Sequence, residues 1–253
     1  MPVHSGSESM RTVRLTHGDE SSGAVPRVPV PYERQTVGAV NPLARYAHRR
    51  RIALSVDRAA DLVRTGGTVL DWGCGPGQFL HDLSERRSDL ALWGLDPFQE
   101  ITFPEVKPVA DSAEVPDGSV DLVTALEVCE HLLEDELLEF VTTARRLLSP
   151  QGRVLVSVPI VGGPPFVVKQ ANFMFVQRRF EYTLKEAIRV TFGGTVQRPV
   201  GKKNTHKGFD FRALRRRLSG DLHLVDRWVS PVPHLPWWLN SQEFTLWSVR
   251  QSP

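Results

Sequence analysis

Hydrophobic and polar positions change period several times along the chain. Leu43, Tyr46 and Ala47, then Ala53, Val56, Ala60 and Val63, recur at helical spacing, which predicts an amphipathic helix over 42–64. Pro42 suits its first turn and Gly66-Gly67 its end. Short apolar runs then alternate with helical patterns. The runs Thr68–Asp71, Leu90–Leu95, Val106–Ala110, Val120–Leu126, Arg153–Val158, Leu222–Val229 and Glu243–Arg250 predict strands. Gln78–Glu85, Glu134–Leu148 and Phe211–Leu218 predict helices between them. This alternation predicts an α/β fold, a Rossmann-like doubly wound sheet with helices on both faces. The sheet is expected to be mostly parallel. The last two strands are joined by a Pro-rich link without a helix, so the C-terminal strand should run antiparallel.

Two stretches fall outside that rhythm. Residues 1–40 mix Ser, Gly, Pro and scattered charge, and read as a flexible N-terminal tail ahead of one domain over 41–253. Residues at about 160–205 interrupt the alternation and read as a lid-like insertion. Within it Phe173, Val176, Phe180, Leu184, Ala187 and Ile188 form a stripe at helical spacing, after Phe166, Met174 and Phe175. The stripe is expected to line an acceptor pocket, with core capping and lipid contact as its other readings.

Composition narrows the class without naming the chemistry. The chain has 253 residues, 31 Lys and Arg against 29 Asp and Glu, and 41% hydrophobic residues, which excludes a disordered chain and argues against a polyanion-binding protein. With Cys74 and Cys129 as its two cysteines it is not a disulfide scaffold. It shows neither a spanning apolar run nor a leader, so a cytoplasmic protein is expected. One local charge excess stands out: Arg198, Lys202, Lys203, Lys207, Arg212 and Arg215–Arg217 against Asp210. A solvated basic face, a phosphorylated acceptor or an anionic membrane surface would each account for it.

The densest signal is Val69-Leu-Asp-Trp-Gly-Cys-Gly-Pro-Gly-Gln-Phe-Leu80. A strand runs into Gly73, Gly75 and Gly77, and a helix follows, so the backbone can turn tightly and approach a ligand. Asp71 just before the loop would repel a pyrophosphate and suits an ammonium or sulfonium group. A dinucleotide fingerprint begun at Gly73 would place its third glycine where Gln78 stands. Asp96 and Asp111 follow the next two strands, placed to accept from ribose hydroxyls and an adenine amino group. Trp72 would either pack beneath the sheet or narrow the pocket.

These motifs resemble those of class I S-adenosylmethionine-dependent methyltransferases, across residues 68–159. Gly94-Leu-Asp-Pro97, Ala110-Asp-Ser-Ala-Glu-Val-Pro-Asp-Gly-Ser-Val-Asp-Leu-Val123, Glu127-Val-Cys-Glu-His-Leu132 and Leu148-Ser-Pro-Gln-Gly-Arg-Val-Leu-Val156 carry the resemblance with the glycine loop. It implies S-adenosylmethionine as cofactor. Asp71, Gly73, Cys74 and Gly75 would hold the methionine part and Asp96 and Pro97 the ribose. Asp111, Ser112 and Ala113 would hold the adenine, and Glu127 and Val128 would line the wall near the sulfonium. A looser resemblance to bacterial methyltransferases of glycan and lipid-linked sugar pathways rests on 41–50, 204–211 and 235–240. The expected acceptor is a small or lipid-linked molecule, with a sugar first and quinones or other natural products next.

His131, after the fourth strand, and His206, after the insertion, are the candidate general bases. Glu130 is expected to be a solvated acid at a helix start. No Cys/His spacing suits a metal, so none is expected. The basic run lacks interleaved aromatics and the fourth strand exits as Ala-Leu-Glu-Val, so nucleic acid is not the expected acceptor. Peripheral membrane contact is expected only through a lipid-linked acceptor. A nicotinamide-dependent oxidoreductase and a non-catalytic S-adenosylmethionine-binding module are the readings from other classes.

Overall fold

The computed structural model describes residues 42–164, 166–167, 182–199 and 206–250. The tail reading for 1–40, the stripe residues Phe173, Val176 and Phe180, and Lys202 and Lys203 lie outside the described residues. The elements in chain order are α1 (Pro42–Leu62), β1 (Thr68–Trp72), α2 (Gln78–Arg86), β2 (Ala91–Leu95) and β3 (Val106–Val109). Then come β4 (Val120–Leu126), α3 (Glu134–Leu147), β5 (Leu148–Pro159), α4 (Leu184–Thr191), α5 (Phe211–Asp221), β6 (Leu222–Ser230) and β7 (Gln242–Val249). The strands form one sheet in the order β3-β2-β1-β4-β5-β7-β6. Neighbours from β3 to β5 run parallel, and β7 runs antiparallel to both β5 and β6.

Alternation along each strand divides the core between the two faces. Leu70, Val123, Val154, Val156 and Trp247 join one cluster with Phe140 and Ala144 of α3 and Leu214 and Leu218 of α5. Their neighbours Val69, Leu122, Leu155, Phe244 and Leu246 join the other, with Val56 and Ala59 of α1, Val63 just after it, and Leu80 and Leu83 of α2. A strand buried on both faces reads as a near-continuous apolar run, which is how Val120–Leu126 and Arg153–Val158 read. Trp72 packs edge-on to Phe140 at 5.5 Å between ring centres, so it packs into the core under α3. β5 starts earlier than its apolar run suggests. Leu148 pairs with Val120 and Arg153 with Leu122, so a bulge carries the polar Ser149–Gly152 turn within the strand.

The sheet order reverses between β1 and β4. In such a sheet the crevice outside the carboxyl ends at the reversal is the ligand-binding position. The insertion departs from the same edge after β5. Its start and the segment around Gly193 both lie against the short link between β6 and β7. The Ile160 amide donates to the Ser241 carbonyl at 2.9 Å. A Cβ on Gly163 would lie 2.1 Å from the Trp238 carbonyl oxygen, and one on Gly193 would lie 3.3 Å from the Trp237 ring. Phe166, Tyr182 and Val190 form a small core of their own with Ala187. Of the expected stripe, the described residues lie on the helix α4. Ala187 faces this core, but Leu184, Ile188 and Phe192, one turn apart, face outward at 78%, 53% and 86% exposure.

Candidate functional site

The turn after β1 is built by β2 as much as by its own glycines. The Gly73 and Cys74 amides both donate to the Leu95 carbonyl, at 2.7 and 3.3 Å. The Gly75 amide donates to Asp96 Oδ2 at 2.8 Å, while Asp96 Oδ1 accepts from the Phe98 and Gln99 amides at 2.8 and 3.0 Å. Asp96 therefore latches the glycine loop to the loop after β2. Gly73, Gly75 and Gly77 all have positive φ. Gly73 also lies against β4's exit, since a Cβ there would meet a Val128 methyl at 2.6 Å. A Cβ on Gly75 would meet only the Gln99 amide group at 3.8 Å or more, so the backbone there is open to a ligand.

Asp71 lies beneath this loop at 3% exposure and accepts from Thr124 Oγ1 of β4 at 2.6 Å. Burial pushes its carboxyl up to about 7 against the Thr124 bond that lowers it, and the Asp96 charge raises it further. Among the described residues no Lys or Arg pairs with Asp71 or Asp96. A cationic ligand fits such a donor set; a pyrophosphate does not, because the first two loop amides are already bonded to Leu95. Cys74 is buried with its thiol pushed up to about 12, chiefly by burial, and burial likewise raises the Cys129 thiol, so neither is a nucleophile.

Asp111 and Ala113 sit at the next strand end. Asp111 caps the single 3₁₀ turn Ser112–Glu114: Oδ1 accepts from the Ala113 amide at 2.8 Å, and its own amide donates to Glu114 at 3.2 Å. Arg146 holds the Ser112 carbonyl at 2.9 Å. Pro97, between Asp96 and the exposed Phe98, completes the strand ends that were singled out from the sequence.

Glu127 leaves β4 in the left-handed region, at φ 62, a strained conformation for a non-glycine residue. Its amide donates to the Ser157 carbonyl at 3.0 Å, and Oε1 accepts from Ser157 Oγ at 3.2 Å. Oε2 accepts from Arg51 Nη1 of α1 at 2.9 Å. Sequence reasoning did not single out Arg51; its partner lies 76 residues away, and no local pattern points to it.

Glu130 corrects the sequence expectation. It is fully buried, not solvated, because the turn after β4 folds its side chain inward. His131 Nε2 lies 3.7 Å from Glu130 Oε1, and the His131 and His206 rings are 5.1 Å apart. One ligand atom from each of Glu130, His131 and His206 lies within 4.8 Å of the others. The arm carrying His206 is fixed close by. Arg198 Nη2 donates to the Glu130 carbonyl at 2.6 Å, and Gly208, at φ 76, crosses Arg198 so closely that a Cβ would lie 2.5 Å from its amide nitrogen. Gly208→Ala is expected to cost about 2 kcal/mol or more in chemical denaturation, since both the backbone contact and the left-handed φ oppose a methyl group.

The described part of the basic run is largely neutralised, mostly by acids of other elements. Lys207 pairs with Glu186, Arg212 with Asp210, Arg215 with Glu243 and Arg217 with Glu134 and Asp221, at 2.5–3.0 Å. Arg216 approaches Asp210 at 4.0 Å. Glu243 is buried, and burial raises its carboxyl despite Arg215 and Arg227. No helix of the described residues is long and apolar enough to cross a membrane.

A family of methyltransferase domains matches residues 43–184. No curated protein matches. Among solved structures, the PH0226 protein of Pyrococcus horikoshii is 15% identical with a TM-score of 0.53, over 87% of this chain and 97% of that one. An S-adenosylmethionine-dependent methyltransferase of Aquifex aeolicus is 13% identical with a TM-score of 0.50, over 83% and 94%. The YcgJ protein of Bacillus subtilis is 14% identical with a TM-score of 0.50, over 81% and 100%. These likenesses carry the fold; the family match carries the activity.

Proposed function

Because the chain belongs to the methyltransferase-domain family matched over residues 43–184, we propose that this class I S-adenosylmethionine-dependent enzyme methylates a hydroxyl of a small or lipid-linked acceptor, a sugar being the first candidate. The observation that carries the hydroxyl is the grouping of His131, His206 and buried Glu130 at the exit of β4. An alcohol holds its proton tightly, and its oxygen becomes a competent nucleophile only when a positioned group relieves it of that proton. Thiols and ionised phenols have no such need.

S-adenosylmethionine supplies an activated methyl group on a sulfonium when bound. The chain's own residues do the rest. Asp71, Gly73, Cys74 and Gly75 receive the methionine end, where the buried carboxyl favours a positive charge. Asp96 and Pro97 take the ribose, with Asp96 held in place by three amides. Asp111, Ser112 and Ala113 border the adenine. Glu127, pinned by Arg51 and Ser157, forms with Val128 the wall beside the reacting carbon. Holding the two reactants in line in a dry recess is worth roughly 7–11 kcal/mol.

Leu184, Ile188 and Phe192 support the lipid-linked form of the acceptor, since they offer an exposed apolar strip on the insertion. The internal ion pairs of 207–217 weigh against an anionic surface as the attraction. The test is incubation of extracts with methyl-labelled cofactor and mass spectrometry of the products. Label in a base-stable methyl ether of low or lipid-like mass is the expected result. Label confined to protein or nucleic acid, or no turnover at all as for a sensing module, would overturn it.

A further inference from the structure

The grouping of Glu130, His131 and His206 has the composition and spacing of a ligand set. We propose that these three residues bind a divalent first-row transition-metal cation, and that the cation presents the acceptor oxygen for methylation. The binding site stands on its own geometry, whereas the second part rests on the methyl-transfer reading above.

Two imidazole nitrogens and a carboxylate oxygen are borderline ligands. They suit zinc, manganese, iron or cobalt better than calcium, which takes six or more oxygens. A tetrahedral ion with bonds of about 2.0–2.1 Å spaces its ligand atoms roughly 3.4 Å apart. The His131–Glu130 separation of 3.7 Å is already close to that. The remaining separations are all within 4.8 Å, so side-chain shifts of about 1.5 Å or less complete the set. Glu130, at 0% exposure, would hold the ion from the protein side, and a divalent charge offsets the cost of burying a carboxylate. Arg198 ties the Glu130 backbone to the arm that delivers His206, so the two halves of the set are fixed relative to each other. Three protein ligands leave at least one position for another group, which is the pattern of catalytic rather than structural sites.

The open position gives the cation its role. An acceptor hydroxyl bound there loses its proton to water at a lower pH than it would alone. The oxygen lone pair then forms the O–CH3 bond as the S–CH3 bond breaks, and the bonding pair stays on sulfur as the neutral thioether of S-adenosylhomocysteine.

The test needs no acceptor. Chelator-treated full-length protein is titrated with Co2+, followed by visible d–d absorption and calorimetry. Wild type is expected to take up one tight equivalent. His131→Ala and His206→Ala should each weaken it at least tenfold, a lower bound taken from the loss of mere supporting contacts around a metal. His81→Ala, which removes an exposed His–Glu105 pair elsewhere in the chain, should leave that equivalent unchanged. Circular dichroism of each variant shows that the fold is retained, and Glu130→Gln adds a change that keeps side-chain size. Wild-type uptake no tighter than that of the His131→Ala/His206→Ala double variant would overturn the site. So would an equal loss in His81→Ala. S-adenosylmethionine affinity, measured on the same samples, separates the two claims: a wild type that binds Co2+ in the way described but not the cofactor refutes the methyl-transfer reading and leaves the metal site standing.

Discussion

Asp71→Asn is expected to make the ligand-free protein more stable than wild type at pH 8 and by less than half that margin at pH 5, while cofactor binding suffers. The carboxyl is fully enclosed, and burial raises it to about 7. An acid whose folded pKa lies above its unfolded value binds its proton more tightly when folded. Stability therefore falls as pH rises from about 4 to about 7, by roughly 4 kcal/mol in all, and stays reduced above that range. Asparagine keeps the acceptor for Thr124 and removes the charge, so the penalty above pH 7 disappears. The same charge is the feature that suits an ammonium or sulfonium ligand, so stability is gained at the expense of binding. Chemical denaturation at the two pH values, with calorimetry of S-adenosylmethionine binding, checks both halves. A stability difference independent of pH would show that Asp71 is ionised throughout.

Asp96→Ala is expected to lower S-adenosylmethionine affinity by about 100-fold, or roughly 3 kcal/mol. Two losses combine. The ribose hydroxyls lose a charged acceptor, and the Gly75, Phe98 and Gln99 amides lose the carboxylate that holds the glycine loop against the loop after β2. Asp96→Asn should fall between, because one amide oxygen can keep part of the latch. Calorimetry of the three proteins orders them; wild-type affinity in Asp96→Ala would remove Asp96 from the site.

The strands were readable because burial on both faces writes continuous apolar runs, and their parallel order followed from the helices between them. The loop acids were readable because a parallel sheet gathers its strand ends at one edge, so Asp71, Asp96 and Asp111 could be placed without coordinates. What escaped depends on contacts between distant segments. Glu130 is a charged residue before a helix, and its letter does not reveal that the turn folds it inward. His131 and His206 were each singled out, but their meeting is set by how the insertion returns to the sheet. The excess of positive charge at 207–217 looked like a surface feature because its partners Glu134, Glu186 and Glu243 come from three other elements. The strip at 184–192 had helical period, but period alone does not say which side of a short helix is covered.

The contacts that hold the insertion to the β6–β7 link at 160–163 and again at 193 bear on how much change the chain between them tolerates. Ile160 and Gly163 on one side and Gly193 on the other meet the same few residues around Trp237 and Trp238, and Arg212 Nη2 clasps the Gly193 carbonyl at 2.9 Å. The chain between these anchors closes a loop whose entropy cost grows only with the logarithm of its length. Residues can be added, removed or replaced there while the sheet register and the cofactor loops stay as they are. On the proposed reading, in which the insertion meets the acceptor, a change of acceptor calls for new residues here and not in the loops after β1 and β2.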